Sequence, residues 1–293
     1  MTVSLDLPTP AGIERLQAVR GFIFDMDGTL VLGDKKNNCL KPLPGAMEML
    51  AWLKQRNIPY AVFTNGTARS PRHYAETLRE AGFDLPDANM LTPASSAVSV
   101  FVREDYQKIM VLGGEALEEP LHNVGIATLR PEDYDRTNPE PVDAVMIGWY
   151  RQLHFDALEN ACHAVEHGAQ LYSSSDVIYF AAAGGRAMGT SRIISSMIRE
   201  VTGCEVRMVG KPSLDSMHCA AECLGVPASD IAVVGDDPLL EVPMAHVAGG
   251  CGIAVGTGLG GADAYAHMSP EAQPHLLLSG VNQLLNLCQE HLG

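Results

Sequence analysis

From residue 21 onward, short apolar runs alternate with stretches whose apolar residues recur at helical spacing. That alternation predicts a parallel sheet covered by helices, because parallel strands joined by helical crossovers are buried on both faces and read as continuous apolar runs. Gly21-Phe-Ile-Phe24 is the first such run and ends at Asp25. Met47, Leu50, Ala51 and Leu53 then fall on one face of a helix over 44–54, opened by Pro44, whose missing N–H would have no partner in a first turn. A strand over 59–63 ends at Thr64-Asn65-Gly66, and the helix after it, over 72–81, stops at Gly82.

A second series of the same kind begins near Lys108, with strands over 109–112 and 144–147 and a helix over 155–167. The last third returns to the first style. A strand over 207–209 runs into Gly210-Lys211-Pro212, a helix follows over 213–224, and a strand over 231–234 runs into Gly235-Asp236-Asp237. A strand over 252–255 and a helix over 280–292 complete the pattern. The expected fold class is α/β: a doubly wound, Rossmann-like parallel-sheet core at 1–105 and 207–293, interrupted by an α/β unit at 106–206. A chain of 293 residues is long enough for two such units, each with its own core.

Composition narrows the function classes. The chain is 46% hydrophobic and 19% charged, as an ordinary globular protein is. Its formal charge of −15 disfavours phosphate backbones and anionic lipid surfaces, so nucleic acid and membranes are not the expected partners. A small anion can still be bound where backbone N–H groups or a cation converge locally. The seven cysteines are scattered, with no CxxC pair, and fit the reduced thiols of a cytoplasmic protein. Cys219 and Cys223, with His218 beside them, suit helix packing better than a metal. The first twenty residues carry prolines and charges where an export signal needs an apolar run, and no apolar stretch is long enough to span a bilayer.

The candidate chemistry lies at the ends of the strands. Asp25-Met-Asp27-Gly28-Thr29, Thr64-Asn65-Gly66 and Gly235-Asp236-Asp237 each follow an apolar run directly. Ligands of open parallel sheets bind beyond the carboxyl ends of the strands, so the three clusters are expected in one crevice. Carboxylates gathered there repel one another unless a divalent cation neutralises them, and oxygen donors with positions left for water and phosphate describe a Mg2+ site. Phosphoryl transfer further needs positive charge and hydrogen-bond donors on the transferring oxygens. Lys211, the Thr64 hydroxyl and the N–H groups of Asn65 and Gly66 are the candidates. Each cluster alone also reads as a turn, and a lone lysine as a solvated charge. Gly256-Thr-Gly258-Leu-Gly-Gly261 satisfies the GxGxxG spacing, but too little chain follows it for the acidic strand end that dinucleotide binding requires.

Asp25-Met-Asp-Gly-Thr-Leu30 after a strand, a threonine after the second strand, a lysine before a helix and a Gly-Asp-Asp after a later strand resemble, in order, the four motifs of the haloacid dehalogenase superfamily. Pro44-Gly-Ala, Phe63-Thr-Asn and Gly-Lys-Pro-Ser213 narrow the resemblance to the nitrophenylphosphatase-like and pyridoxal-phosphate-phosphatase-like subfamily, whose α/β cap is inserted between the second and third motifs. The resemblance implies a Mg2+-dependent phosphatase acting on a small phosphorylated metabolite. Asp25 would be the nucleophile that forms an aspartyl phosphate, and Asp27 the general acid and base. Asp27, Gly28, Thr64, Asn65, Gly66 and Lys211 would hold the phosphoryl group. The cation would be held by the Asp25 carboxylate, the Asp27 backbone carbonyl and Asp236.

Two departures stand out: Gly66 replaces a usual asparagine, and Leu240-Glu241 replaces a usual Thr-Asp. Glu241, in preference to Asp237, is therefore the expected partner of a metal-bound water. Asp176, in Ser173-Ser-Ser-Asp176, is a candidate for substrate specificity, with a turn or helix cap as the alternative. A phosphomutase on the same fold and a non-catalytic phosphometabolite-binding protein are the rival functions. The oligomeric state is open, a homodimer through the cap being what the resemblance offers.

Overall fold

The structure, a computed structural model, describes residues 8–34, 39–182, 185–259 and 261–293. The start of the N-terminal stretch read above and Gly260 of the GxGxxG spacing lie outside the described residues. The chain divides into two compact units, one made of Met1–Thr64, Arg72–Leu91 and Lys211–Gly293, the other of Asn65–Pro71 and Thr92–Gly210.

The first unit is built on a six-stranded sheet in the order Leu276–Leu278, Cys251–Val255, Ile231–Gly235, Gly21–Phe24, Tyr60–Phe63, Met90–Leu91. All its pairings are parallel, and Phe24 stands between Val234 and Val62 in the register. Alternate side chains of a strand point to opposite faces. Phe22 and Phe24 accordingly pack with Met49, Leu53 and Leu284 on one side. Ile23 packs with Met217, Ala220 and Met244 on the other. Burying a side chain of this size contributes about 1.5–3 kcal/mol, so both layers of helices are held firmly to the sheet. The helix Leu214–Leu224 shows how its ends are set: the Ser213 side chain accepts from Ser216 N–H, and Gly225 ends the helix at φ 67°.

The segment after Thr29 forms two short antiparallel strands, Val31–Asp34 and Cys39–Pro42. Val31 and Leu40 give this stretch enough apolar content to pack against the core.

The second unit has a five-stranded parallel sheet in the order Val206–Met208, Gln170–Ser173, Ala144–Ile147, Lys108–Leu112, Ala127–Leu129. Met110 and Leu112 face the helices Phe155–Glu166 and Thr190–Thr202, while Ile109 and Val111 face Pro93–Arg103. The strand expected at 207–209 as part of the first sheet is here an edge strand, with Val206 opposite Leu171. Its partly exposed side chains suit an edge. The helix Pro93–Arg103, capped by Thr92 and Ser95, also groups with this unit, through Ala97, Val100 and Phe101. The longer segment of the second unit thus spans Thr92–Gly210, against the 106–206 expected, and Asn65–Pro71 joins it. Among the described residues no helix is long and apolar enough to cross a membrane.

Candidate active site

Three neighbouring strands of the first sheet end at the same edge, and each delivers one of the polar clusters. Asp25 follows Phe24, and its N–H donates to Val234 O at 2.8 Å, continuing the ladder. Thr64 follows Phe63, with its N–H on Leu91 O (3.2 Å), and Asp236 follows Gly235. Beyond Asp25 the chain turns at Gly28, which has φ 86° and donates its N–H to Val31 O. A side chain there is excluded twice, by the left-handed backbone and because a Cβ would lie 2.5 Å from Asp236 Oδ2.

Lys211 is the buried centre of this edge. Only 1% of its side chain is exposed, and its Nζ donates to Asp25 Oδ1 and to Glu241 Oε1, both at 2.6 Å. The surface reading of this lysine is therefore excluded. Glu241, equally buried, opens the helix Glu241–Val247 and folds beneath Gly235, where a Cβ would stand 2.0 Å from its Cγ. Its Oε2 accepts the N–H of Asp237 at 3.1 Å. The Glu241 oxygens, expected beside a metal-bound water, are thus engaged by Lys211 and a backbone N–H. Asp237 caps its own turn, with Oδ1 accepting from Leu239 N–H (2.9 Å).

Electrostatics follow from these positions. Between two carboxylates, Lys211 stays charged, its pKa raised above the ordinary lysine value despite full burial. Burial pushes the Glu241 carboxyl up, against the pull of Lys211. Asp27 meets solvent on one side, yet burial of the remainder and the neighbouring Asp25 charge push its carboxyl up to about 6. Burial likewise pushes Asp236 to about 6, with Asp25 and Asp237 adding to the effect and the Leu259 N–H opposing it.

The Asp25 charge thus disfavours charge on Asp27 and on Asp236, which is the environment that a hard divalent cation relieves. Among the described residues no group of three or more His, Cys, Asp or Glu side chains is arranged to hold a metal. The set implied by the resemblance consists of two carboxylates and one backbone carbonyl, so it asks for no third side chain, and its oxygen chemistry fits Mg2+.

The remaining candidates belong to the second unit. Asn65 and Gly66 begin it, and its closing residue Gly210 approaches Asn65 so closely that a Cβ there would lie 2.8 Å from Asn65 Oδ1. Asp176 is exposed and forms an ion pair with Arg192 of the same unit. Sequence reasoning missed two features of the site. One is the Glu241–Lys211 pair, signalled only by an acid at the first turn of a helix after Asp236. The other is the loop after Val255, whose Leu259 N–H donates to Asp236 Oδ2 at 2.7 Å.

The geometry gathers acidic side chains at the strand ends of a parallel sheet, with a buried lysine held against Asp25, and comparison with known proteins identifies the class. The haloacid dehalogenase-like hydrolase family matches residues 22–127, and a HAD-hydrolase-like family matches residues 208–284. An acid sugar phosphatase of Staphylococcus aureus is 27% identical over 222 residues, covering 75% of this chain and 80% of that protein. A 4-nitrophenylphosphatase from Thermotoga maritima superposes with a TM-score of 0.78 at 26% identity, covering 92% of this chain and 98% of that one. NagD from E. coli K-12 shares the fold, with a TM-score of 0.77 at 23% identity over 90% of this chain and 98% of its own. The chain belongs to the haloacid dehalogenase-like hydrolases, among the members similar to the nitrophenylphosphatases.

Proposed function

We propose that the protein hydrolyses the phosphomonoester of a small phosphorylated metabolite, a sugar phosphate being the class that the acid sugar phosphatase relative supports. The observation that carries this reading is the Asp25 carboxylate at a strand end with Lys211 Nζ 2.6 Å from one of its oxygens. Lys211 holds Asp25 in a single orientation and supplies positive charge where the phosphoryl oxygens gather. An Asp25 oxygen attacks phosphorus as the ester P–O bond breaks, giving an aspartyl phosphate, and Asp27 gives its proton to the leaving alkoxide. Asp27 then takes a proton from the water that attacks the same phosphorus and returns Asp25 as a carboxylate. Thr64, at the next strand end, is read as a donor to the phosphoryl oxygens. Asp25, Asp236 and the Asp27 backbone carbonyl would hold Mg2+, which supplies charge neutralisation for the dianionic substrate. The second unit is read as the family's inserted cap.

Phosphate release from an aryl phosphate and from a panel of sugar phosphates, without any bisphosphate activator, tests the reading and separates it from a mutase. Asp25→Asn should lose all turnover and keep the wild-type melting temperature, because an amide cannot attack phosphorus. More than a few per cent of residual rate would refute the covalent route.

A further inference from the structure

The loop 256–259 carries no reactive group, yet it touches two of the proposed functional elements at once. Its start is fixed by Gly256 N–H donating to Leu278 O at 2.9 Å. Thr257 Oγ1 then donates to the carbonyl oxygen of Gly28 at 2.5 Å. Gly280 lies near the methyl group of Thr257, since a Cβ added at 280 would stand 3.1 Å from it. Gly258 approaches Asp236 until a Cβ would fall 1.9 Å from Oδ2. Leu259 N–H donates to that same oxygen at 2.7 Å.

These contacts do two jobs. Gly28 is the left-handed hinge of the turn that carries Asp27, and a glycine there has more backbone freedom than any other residue would. Anchoring its carbonyl removes that freedom from the Asp27 turn. Asp236 is pressed between Gly28 and Gly258, with one oxygen engaged by a backbone N–H, so its second oxygen faces a fixed direction.

We propose that the loop 256–259 is the positioning element of this site: Thr257 orients the turn bearing Asp27, and Gly258 with Leu259 N–H orients the Asp236 carboxylate. The inference rests on the reading of Asp27 as acid and base and of Asp236 as a Mg2+ ligand. It explains the glycine at 258 by close approach to a carboxylate rather than by any nucleotide.

The test compares Thr257→Ala, Thr257→Ser and Gly258→Ala with the wild type by aryl phosphate kinetics, by calorimetric titration of Mg2+ without substrate, and by melting temperature. Partners that orient a reacting group typically matter by about 10–100-fold, so Thr257→Ala should lower kcat on that scale with KM changed by less than about twofold. Thr257→Ser keeps the hydroxyl and should recover most of the lost kcat. Gly258→Ala should weaken Mg2+ binding by about tenfold or more. Unchanged kcat in Thr257→Ala and unchanged Mg2+ affinity in Gly258→Ala would overturn the proposal. So would a Thr257→Ser protein as impaired as Thr257→Ala with an equally lowered melting temperature, since that pattern means scaffolding alone. If the wild type released no phosphate, the proposed function would fall, whereas the Mg2+ titrations would still decide the role of the loop.

Discussion

Glu241→Gln probes the structure more sharply than removal of Asp25, the proposed nucleophile, does. Two donors face the Glu241 carboxylate from opposite sides: Lys211 Nζ at 2.6 Å from Oε1 and Asp237 N–H at 3.1 Å from Oε2. A carboxylate accepts from both. An amide of the same shape accepts on one side only and presents N–H groups on the other. The Lys211 and Glu241 side chains are each 1% exposed, so the donors can be satisfied only by the side chain at 241 or, for Asp237, in part by solvent. The amide oxygen will turn to the charged Lys211, so the partly buried Asp237 N–H loses its acceptor, at a cost toward the lower end of the roughly 1–3 kcal/mol of a buried donor left unpaired. The full 3–5 kcal/mol of a broken buried ion pair is not expected, because Asp25 still holds Lys211 at 2.6 Å.

The catalytic consequence follows from charge. Lys211 is shared between two carboxylates, and neutralising Glu241 leaves its whole charge to Asp25, whose oxygens become less available for the proposed attack. The expected loss of kcat is about 10–100-fold, the scale of groups that orient rather than react. Glu241→Asp separates the two effects, since it keeps the charge but withdraws it by one methylene from the space beneath Gly235. Urea unfolding followed by circular dichroism reads the stability change, and aryl phosphate turnover reads the rate. A Glu241→Gln protein that unfolded at the wild-type urea concentration and turned over within twofold of wild type would show that the pair does not organise the site.

Lys211→Ala should lower turnover by about two to three orders of magnitude, the effect of losing roughly 3–4 kcal/mol of preorganised positive charge, and unchanged kinetics would remove Lys211 from the mechanism. His246 and His275 supply a pH-dependent term remote from the chemistry. Their rings meet edge-on at 5.0 Å, and His275 Nδ1 accepts from Gly252 N–H, which requires that nitrogen to be unprotonated. Burial depresses both pKa values, and Arg15 adds to the effect on each. The folded state then binds fewer protons than the unfolded one, so their contribution to stability is present above the ordinary value near 6.5 and is lost as pH falls below it. Urea unfolding between pH 7.5 and 5.5 should show a shallower decline for His246→Gln/His275→Gln than for the wild type, and parallel slopes would contradict the sign.

Much of the fold and the core of the candidate site were legible because each depends on a local rule. Buried parallel strands are continuous apolar runs, and the expected strands over 59–63, 144–147 and 231–234 lie within a residue of those observed. The crevice rule then placed Asp25, Thr64 and Asp236 at one edge without any knowledge of strand order, since all three follow such runs. Sheet membership was less accessible. The Val206–Met208 strand has the length and composition of either sheet, and only its pairing with Gln170–Ser173 assigns it to the second unit. Periodicity says which face of an element is covered; it does not say by what.

The same limit explains Glu241. A sequence shows an acid five residues after Asp236, at a spacing that suits several roles, and the expectation turned to the metal because carboxylates gather there. The structure instead places Lys211 wholly inside the protein. One carboxylate neutralises a buried lysine but also becomes its captive, and Asp25 in that position would be tied up by the charge that must later serve the phosphoryl oxygens. A second carboxylate on the far side of Nζ divides the attraction and leaves Asp25 held but not consumed. An aspartate at 241 would have to reach the same nitrogen with one methylene fewer from beneath Gly235. The longer residue therefore fits its lysine partner, and packing around Lys211 accounts for the departure from the usual acid.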